Sequence, residues 1–253
     1  MAKSSKTVKS DRQAVIDKLR KEQKGAERKR GFAIVGVCVL VAVLIIGAAA
    51  YKPIKDWWDG REVEQLSLSD IGAPASVCQD ISTKKADGNQ NHVPTGTPVE
   101  YTIAPPAFGA HWNEAGVAPA PFDRKFYSEQ DRPAIESLVH NLEHGYTILW
   151  YDETLSDEEV SQIRDMATKF DEGDSNMRDK FIAAPWTSDD GNGAKFPKDQ
   201  HVAFTHWSAG GEGETDPAKQ LGAFQYCSAP SGEALQEFMK KYPYFDSPEP
   251  GAM

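Results

Sequence analysis

The chain has few cysteines and little positive charge, and it lacks the usual short enzyme motifs. Only three cysteines occur in 253 residues, and none forms a C-x-x-C pair. No Gly-rich phosphate loop and no G-x-S-x-G occur, so the standard phosphate cradle and the nucleophile-elbow hydrolases drop out. No internal repeat is visible. The formal net charge is −10, and such a surface repels phosphates, which excludes nucleic acid as a partner.

One stretch has no charge at all. Residues 32–51 read FAIVGVCVLVAVLIIGAAAY. At 1.5 Å per residue a helix of that length spans roughly 30 Å, the thickness of a bilayer core. Tyr51, Trp57 and Trp58 follow, as interfacial aromatics would. A cleaved signal peptide is the rival reading, with Ala48-Ala49-Ala50 imitating a cleavage site. However, 31 residues precede the run, and the run exceeds the roughly 7–15 residues of a signal's apolar region.

Charge orients the span. Residues 1–31 carry 11 Lys/Arg against 4 Asp/Glu, whereas 52–253 carry 17 against 34. Positive flanks stay in the cytoplasm. The expectation is a basic cytoplasmic tail (1–31), one transmembrane helix (32–51), a stalk and irregular lead-in (52–96), and an extracytoplasmic globular domain (97–253). The lipid bilayer is then a partner, and the tail can form a frayed surface helix over Lys9–Lys29. Cys38 lies in the apolar run, so Cys78 and Cys227 are the two outer cysteines. In an oxidising compartment they form a natural disulfide pair.

Hydrophobic periodicity supplies the rest of the domain. Val99–Ala104 alternates and predicts a strand. Pro105–Pro121 is dense in Pro, Gly and Ala and reads as irregular. Asp131 is the expected cap of a helix over Arg132–Leu142, whose Ile135, Leu138, Val139 and Leu142 form one apolar stripe. Tyr146–Tyr151 is the best strand. Ser156-x-x-Glu159 is a capping box that opens a helix to about Phe170. Phe181–Ala184 and His201–His206 read as strands, Lys84–Gly96 as loop, and Ser231 caps a last helix through about Lys241. Single-striped helices should cover a sheet. The fold class is therefore an α+β or α/β sandwich ectodomain behind one N-terminal transmembrane helix.

One motif has chemical content, His140-Asn141-Leu142-Glu143-His144. At 100° per residue, both histidines and Glu143 lie on the side away from the apolar stripe, and two His at i, i+4 can hold one ion. The spacing also fits the H-x-x-E-H of one class of zinc peptidases. In that case Glu143 activates water and a third ligand comes from Glu212 or Glu214. The residues equally allow a plain structural role, with His140 and His144 capping carbonyls at a helix end and Glu143 pairing with a histidine. His111 sits in the Pro/Gly loop. His201 and His206 flank one strand and point to opposite faces, so at most one would join a site. The acidic run Asp152–Glu159 lacks EF-hand spacing.

His92-Val93-Pro94-x-Gly96-Thr97, Tyr101, Pro105-Pro106, Gly109-x-His111-Trp112 and His140-x-Leu142-Glu143-His144-Gly145-Tyr146 together resemble an uncharacterised family of actinobacterial, often membrane-anchored proteins. The resemblance spans roughly His92–Phe170 and continues more weakly toward Cys227. The family usually has Ser-Gly-Pro-His after the double proline, where this chain has Phe108-Gly109-Ala110-His111. The resemblance implies a Gram-positive envelope and no known activity. It directs attention to His92, His111, His140, Glu143 and His144 as the group to test; read as a metal site, that group would handle copper or zinc. Two further readings stand beside metal binding. One is an accessory or scaffold subunit of an envelope or respiratory membrane complex; the other is a zinc-dependent hydrolase.

Overall fold

Tyr146–Tyr151 is the most apolar β-branched and aromatic run outside residues 32–51, and the sheet is built around it. In a computed structural model that describes residues 35–51, 66–86, 90–171 and 176–252, the chain divides into two compact units, Met1–Glu62 and Val63–Met253. In the first, residues 35–51 form a helix, α1, whose Val35, Leu40 and Ile46 are exposed. No helix among the described residues is long and apolar enough to cross a membrane. Residues 32–34 of the expected span, the Lys9–Lys29 segment, Trp57 and Trp58 lie outside the described residues.

The second unit is a mixed α+β domain. Its five-stranded sheet has the order β1-β7-β6-β4-β5, formed by β1 (Ser82–Lys85), β4 (Thr147–Asp152), β5 (Phe181–Trp186), β6 (Val202–Ser208) and β7 (Leu221–Cys227). β4 and β5 are parallel, joined through helix α3 (Asp157–Thr168), and the other neighbours are antiparallel. Alternation along the strands makes two cores. Leu149, Phe181 and Phe204 face one way, onto α3 and α4 (Gly232–Lys241). Ile148, Trp150, Ile182 and Trp207 face the other way, onto α2 (Ile135–Glu143). Ser156 accepts from Glu159 N while Glu159 accepts from Ser156 N, so α3 starts at the expected capping box. Ser231 caps α4 at Ala234 N.

Cys78 and Cys227 form the expected disulfide across 149 residues, in an antiparallel bridge where their Cα atoms are 3.9 Å apart. The surrounding chain belongs to the domain. β1, expected as lead-in and loop, is an edge strand of the sheet, and Ile71 enters the core beside α3 and α4.

Three expectations need correction. Val99–Ala104 is not a strand. Pro105 and Pro106 follow it, and Val99 N bonds to the Glu136 carboxylate rather than to a neighbouring strand. The helix expected from Arg132 starts three residues later, at Ile135, with Ala134 at the cap. Pro133 disfavours helical geometry at Arg132, and Asp131 instead closes a turn by accepting from Ser128 N and Oγ. The lead-in also contributes β2 (His92–Val93), which pairs in parallel with β3 (His111–Trp112).

Candidate metal centre

The outer face of α2 is polar because it satisfies the irregular segment that covers it. Loop backbone buried away from water must find partners, and 97–121 belongs to no large sheet. Glu136 accepts from Val99 N, Ser137 donates to Val117 O, and His140 meets Trp112 O. Asn141 clamps Ala120 with two bonds, donating to its carbonyl and accepting from its N–H. The histidine face is thus buried beneath this loop, with His140, Glu143 and His144 at 3%, 1% and 6% exposure.

β2 and β3 bring the next two ligand candidates to that face. Their register sets His92 opposite His111, with ring centroids 4.9 Å apart. His140 lies 4.9 Å from the His111 ring and 5.4 Å from the His92 ring. One ligand atom from each of His92, His111, His140 and Glu143 lies within 4.8 Å of all the others. His111 Nε2 lies 2.9 Å from Glu143 Oε2, and His92 Nε2 lies 3.5 Å from the same oxygen. These distances straddle the roughly 3.4 Å between neighbouring ligands that a tetrahedral ion with bonds of about 2.0–2.1 Å requires.

Hydrogen bonds fix which nitrogens can ligate. His111 Nδ1 lies 2.8 Å from Gly109 O, and His140 Nδ1 lies 2.6 Å from Trp112 O. A carbonyl accepts only, so each Nδ1 carries the proton and each Nε2 is left with the lone pair that can ligate a metal. His111 Nε2 then faces a carboxylate, a contact that only a second proton or a cation can satisfy. Glu143 Oε1 accepts from Gln90, Gln90 accepts from Gln220, and Gln220 accepts from Trp207 Nε1. This relay, which reaches β6, orients the carboxylate.

Burial would raise the Glu143 pKa, but the hydrogen bond and charge of His111, together with the Gln90 bond, hold it down at about 2. Burial lowers His140, with the nearby imidazoles adding to the effect against the Trp112 carbonyl. Burial, then His140, lowers His144 to about 4. At neutral pH the cleft therefore offers neutral His140 and His144 rings beside an ionised carboxylate, a donor set suited to a cation.

His144 stands apart from the group of four. Its Nε2 is 3.0 Å from His140 Nε2 and 3.5 Å from Glu249 Oε2, and Glu143, His144 and Glu249 form a second group within the same 4.8 Å limit. Glu249 carried no sequence signal, because it follows Pro248 in a short tail with no periodicity. It arrives because Glu249 N donates to Glu143 O and the buried Lys180 ammonium donates to His144 O, Pro250 O and Ala252 O. Gly145 makes room for this tail. Its φ is +91°, and a Cβ there would sit 2.1 Å from Tyr244 O.

The remaining candidates lie elsewhere. His201 pairs with Asp152 and Thr154 at the other end of β4. His206 is fully buried between Tyr146 O and Asp246 O. Glu214 is paired with Lys219, and neither it nor Glu212 belongs to a metal-competent group among the described residues. Glu143 sits among the ligand atoms rather than beside them, which departs from the peptidase arrangement, where the motif's Glu stays free as a base.

The chain belongs to the family described as protein of unknown function (DUF3105), whose model matches residues 92–253. The matched stretch opens on His92 and includes every residue of both ligand groups. No curated protein and no solved structure matches the chain.

Proposed function

We propose that this protein is a membrane-anchored, extracytoplasmic metal-binding protein of the cell envelope, holding copper or zinc through His92, His111, His140 and Glu143. The observation that carries the reading is the pair of rings His111 and His140. Each spends Nδ1 on a backbone carbonyl and leaves Nε2 as its ligand atom, His111 with Nε2 2.9 Å from the Glu143 carboxylate and His140 within the same group of ligand atoms. Imidazole suits both metals, and a single carboxylate offsets part of the ion's charge. Support for the anchor is the uncharged run 32–51 with its basic flank, whose described part is an exposed apolar helix. Support for an oxidising compartment is the Cys78–Cys227 disulfide.

Elemental analysis of the tag-free full chain in detergent, after dialysis against micromolar zinc, tests the reading. We expect stoichiometric zinc in the wild type, and loss of the ion held by this group in a His111→Ala, His140→Ala double variant that keeps its circular dichroism. Background zinc in the wild type, together with background copper after the same dialysis against copper, would overturn it.

A further inference from the structure

We infer that the centre holds two cations, with Glu143 as the bridging carboxylate and His144 and Glu249 as the ligands of the second. This rests on the metal-binding reading above and extends it. Glu143 is the one residue common to the two ligand groups. A carboxylate has two oxygens and can place one on each of two ions about 3.5–4 Å apart, offsetting their repulsion.

The second site is built into the fold. His144 is 6% exposed, and its Nε2 faces His140 Nε2 at 3.0 Å and Glu249 Oε2 at 3.5 Å. With His140 Nδ1 committed to Trp112 O, the two facing Nε2 atoms at 3.0 Å share one proton at most. Separate ions on the two nitrogens satisfy both lone pairs. Glu249 is held by its own N–H on Glu143 O, and the Lys180 ammonium grips the chain just beyond it.

The two sites differ in chemistry. The first offers three imidazoles and one carboxylate, and the second offers one imidazole and two carboxylates, a harder set. The Glu249 side chain is 47% exposed, so the second ion is the one that exchanges with solvent. It leaves first under a chelator.

The test is zinc per chain, measured on the full-length wild type and on Glu249→Gln, a change at a half-exposed side chain. We expect two zinc ions in the wild type and one in the variant, and stepwise chelation of the wild type should release the first equivalent at least tenfold faster than the second. Two ions in both proteins would put the second ion elsewhere and overturn the inference. One ion in the wild type and one in the variant would overturn it and leave the single-ion reading intact, whereas one in the wild type and none in the variant would overturn both. No zinc in the wild type would overturn the inference, and no copper after the same dialysis against copper would overturn the single-ion reading with it.

Discussion

The two faces of the sheet are covered in different ways. Helices α3 and α4 cover one with regular apolar stripes that close over Leu149, Phe181 and Phe204. The other has α2 as a first layer and irregular chain as a second, and between those layers lie buried histidines and Glu143. The first cover is stabilised by removing apolar surface from water. In the second, α2 closes on the sheet the same way, and only the irregular layer outside it is held by side chains answering backbone groups, with the His140 and His144 Nε2 atoms left facing each other. The buried histidines and Glu143 therefore lie outside one of two apolar cores rather than in place of it.

The largest expected effect belongs to the apolar side, where Cys227 is buried beside α4. Replacing Cys78 and Cys227 by alanine frees a 149-residue separation, and should cost about 4–5 kcal/mol on the chain-entropy model. Denaturant titration of the double variant measures it, and zinc content should not change.

The next contrast pairs one residue from each cover. Phe238→Ala empties a fully buried position, and should cost about 3–5 kcal/mol with metal content unaltered. His140→Ala removes the partner of Trp112 O, and should cost about 1–3 kcal/mol in metal-free protein while abolishing the first ion. If Phe238→Ala lost the metal while His140→Ala kept it, the division of labour between the faces would be wrong.

The smallest effect is at the α3 cap. Ser156→Ala deletes the bond to Glu159 N, and should lower the denaturation midpoint by the equivalent of about 1 kcal/mol, with the metal unaffected.

The same division governs what could be read beforehand. β4 was legible because Thr147–Tyr151 is an unbroken β-branched, aliphatic and aromatic run, and α3 because its capping box and stripe are local. β7 was not, since Gly222, Ala223 and Gln225 blur its alternation. Gly222 is there because Phe108 packs where its Cβ would be, a contact across 114 residues. The α2 start was misplaced because Asp131 has a local alternative in Ser128, and Val99–Ala104 misled because alternation alone cannot supply a strand partner.

The sequence by itself determined the apolar run, the charge asymmetry, the cysteine pair, and the sharing of one helix face by His140, Glu143 and His144. Each depends on composition or on a helical period, and both act over a few residues. Only the tertiary structure decided the rest of the centre. The β2–β3 register set His92 against His111, the Gln90–Gln220–Trp207 relay turned Glu143, and Gly145 with Lys180 brought Glu249 over the end of α2. These placements depend on backbone partners distant in the chain, and a residue's own neighbours carry no trace of them.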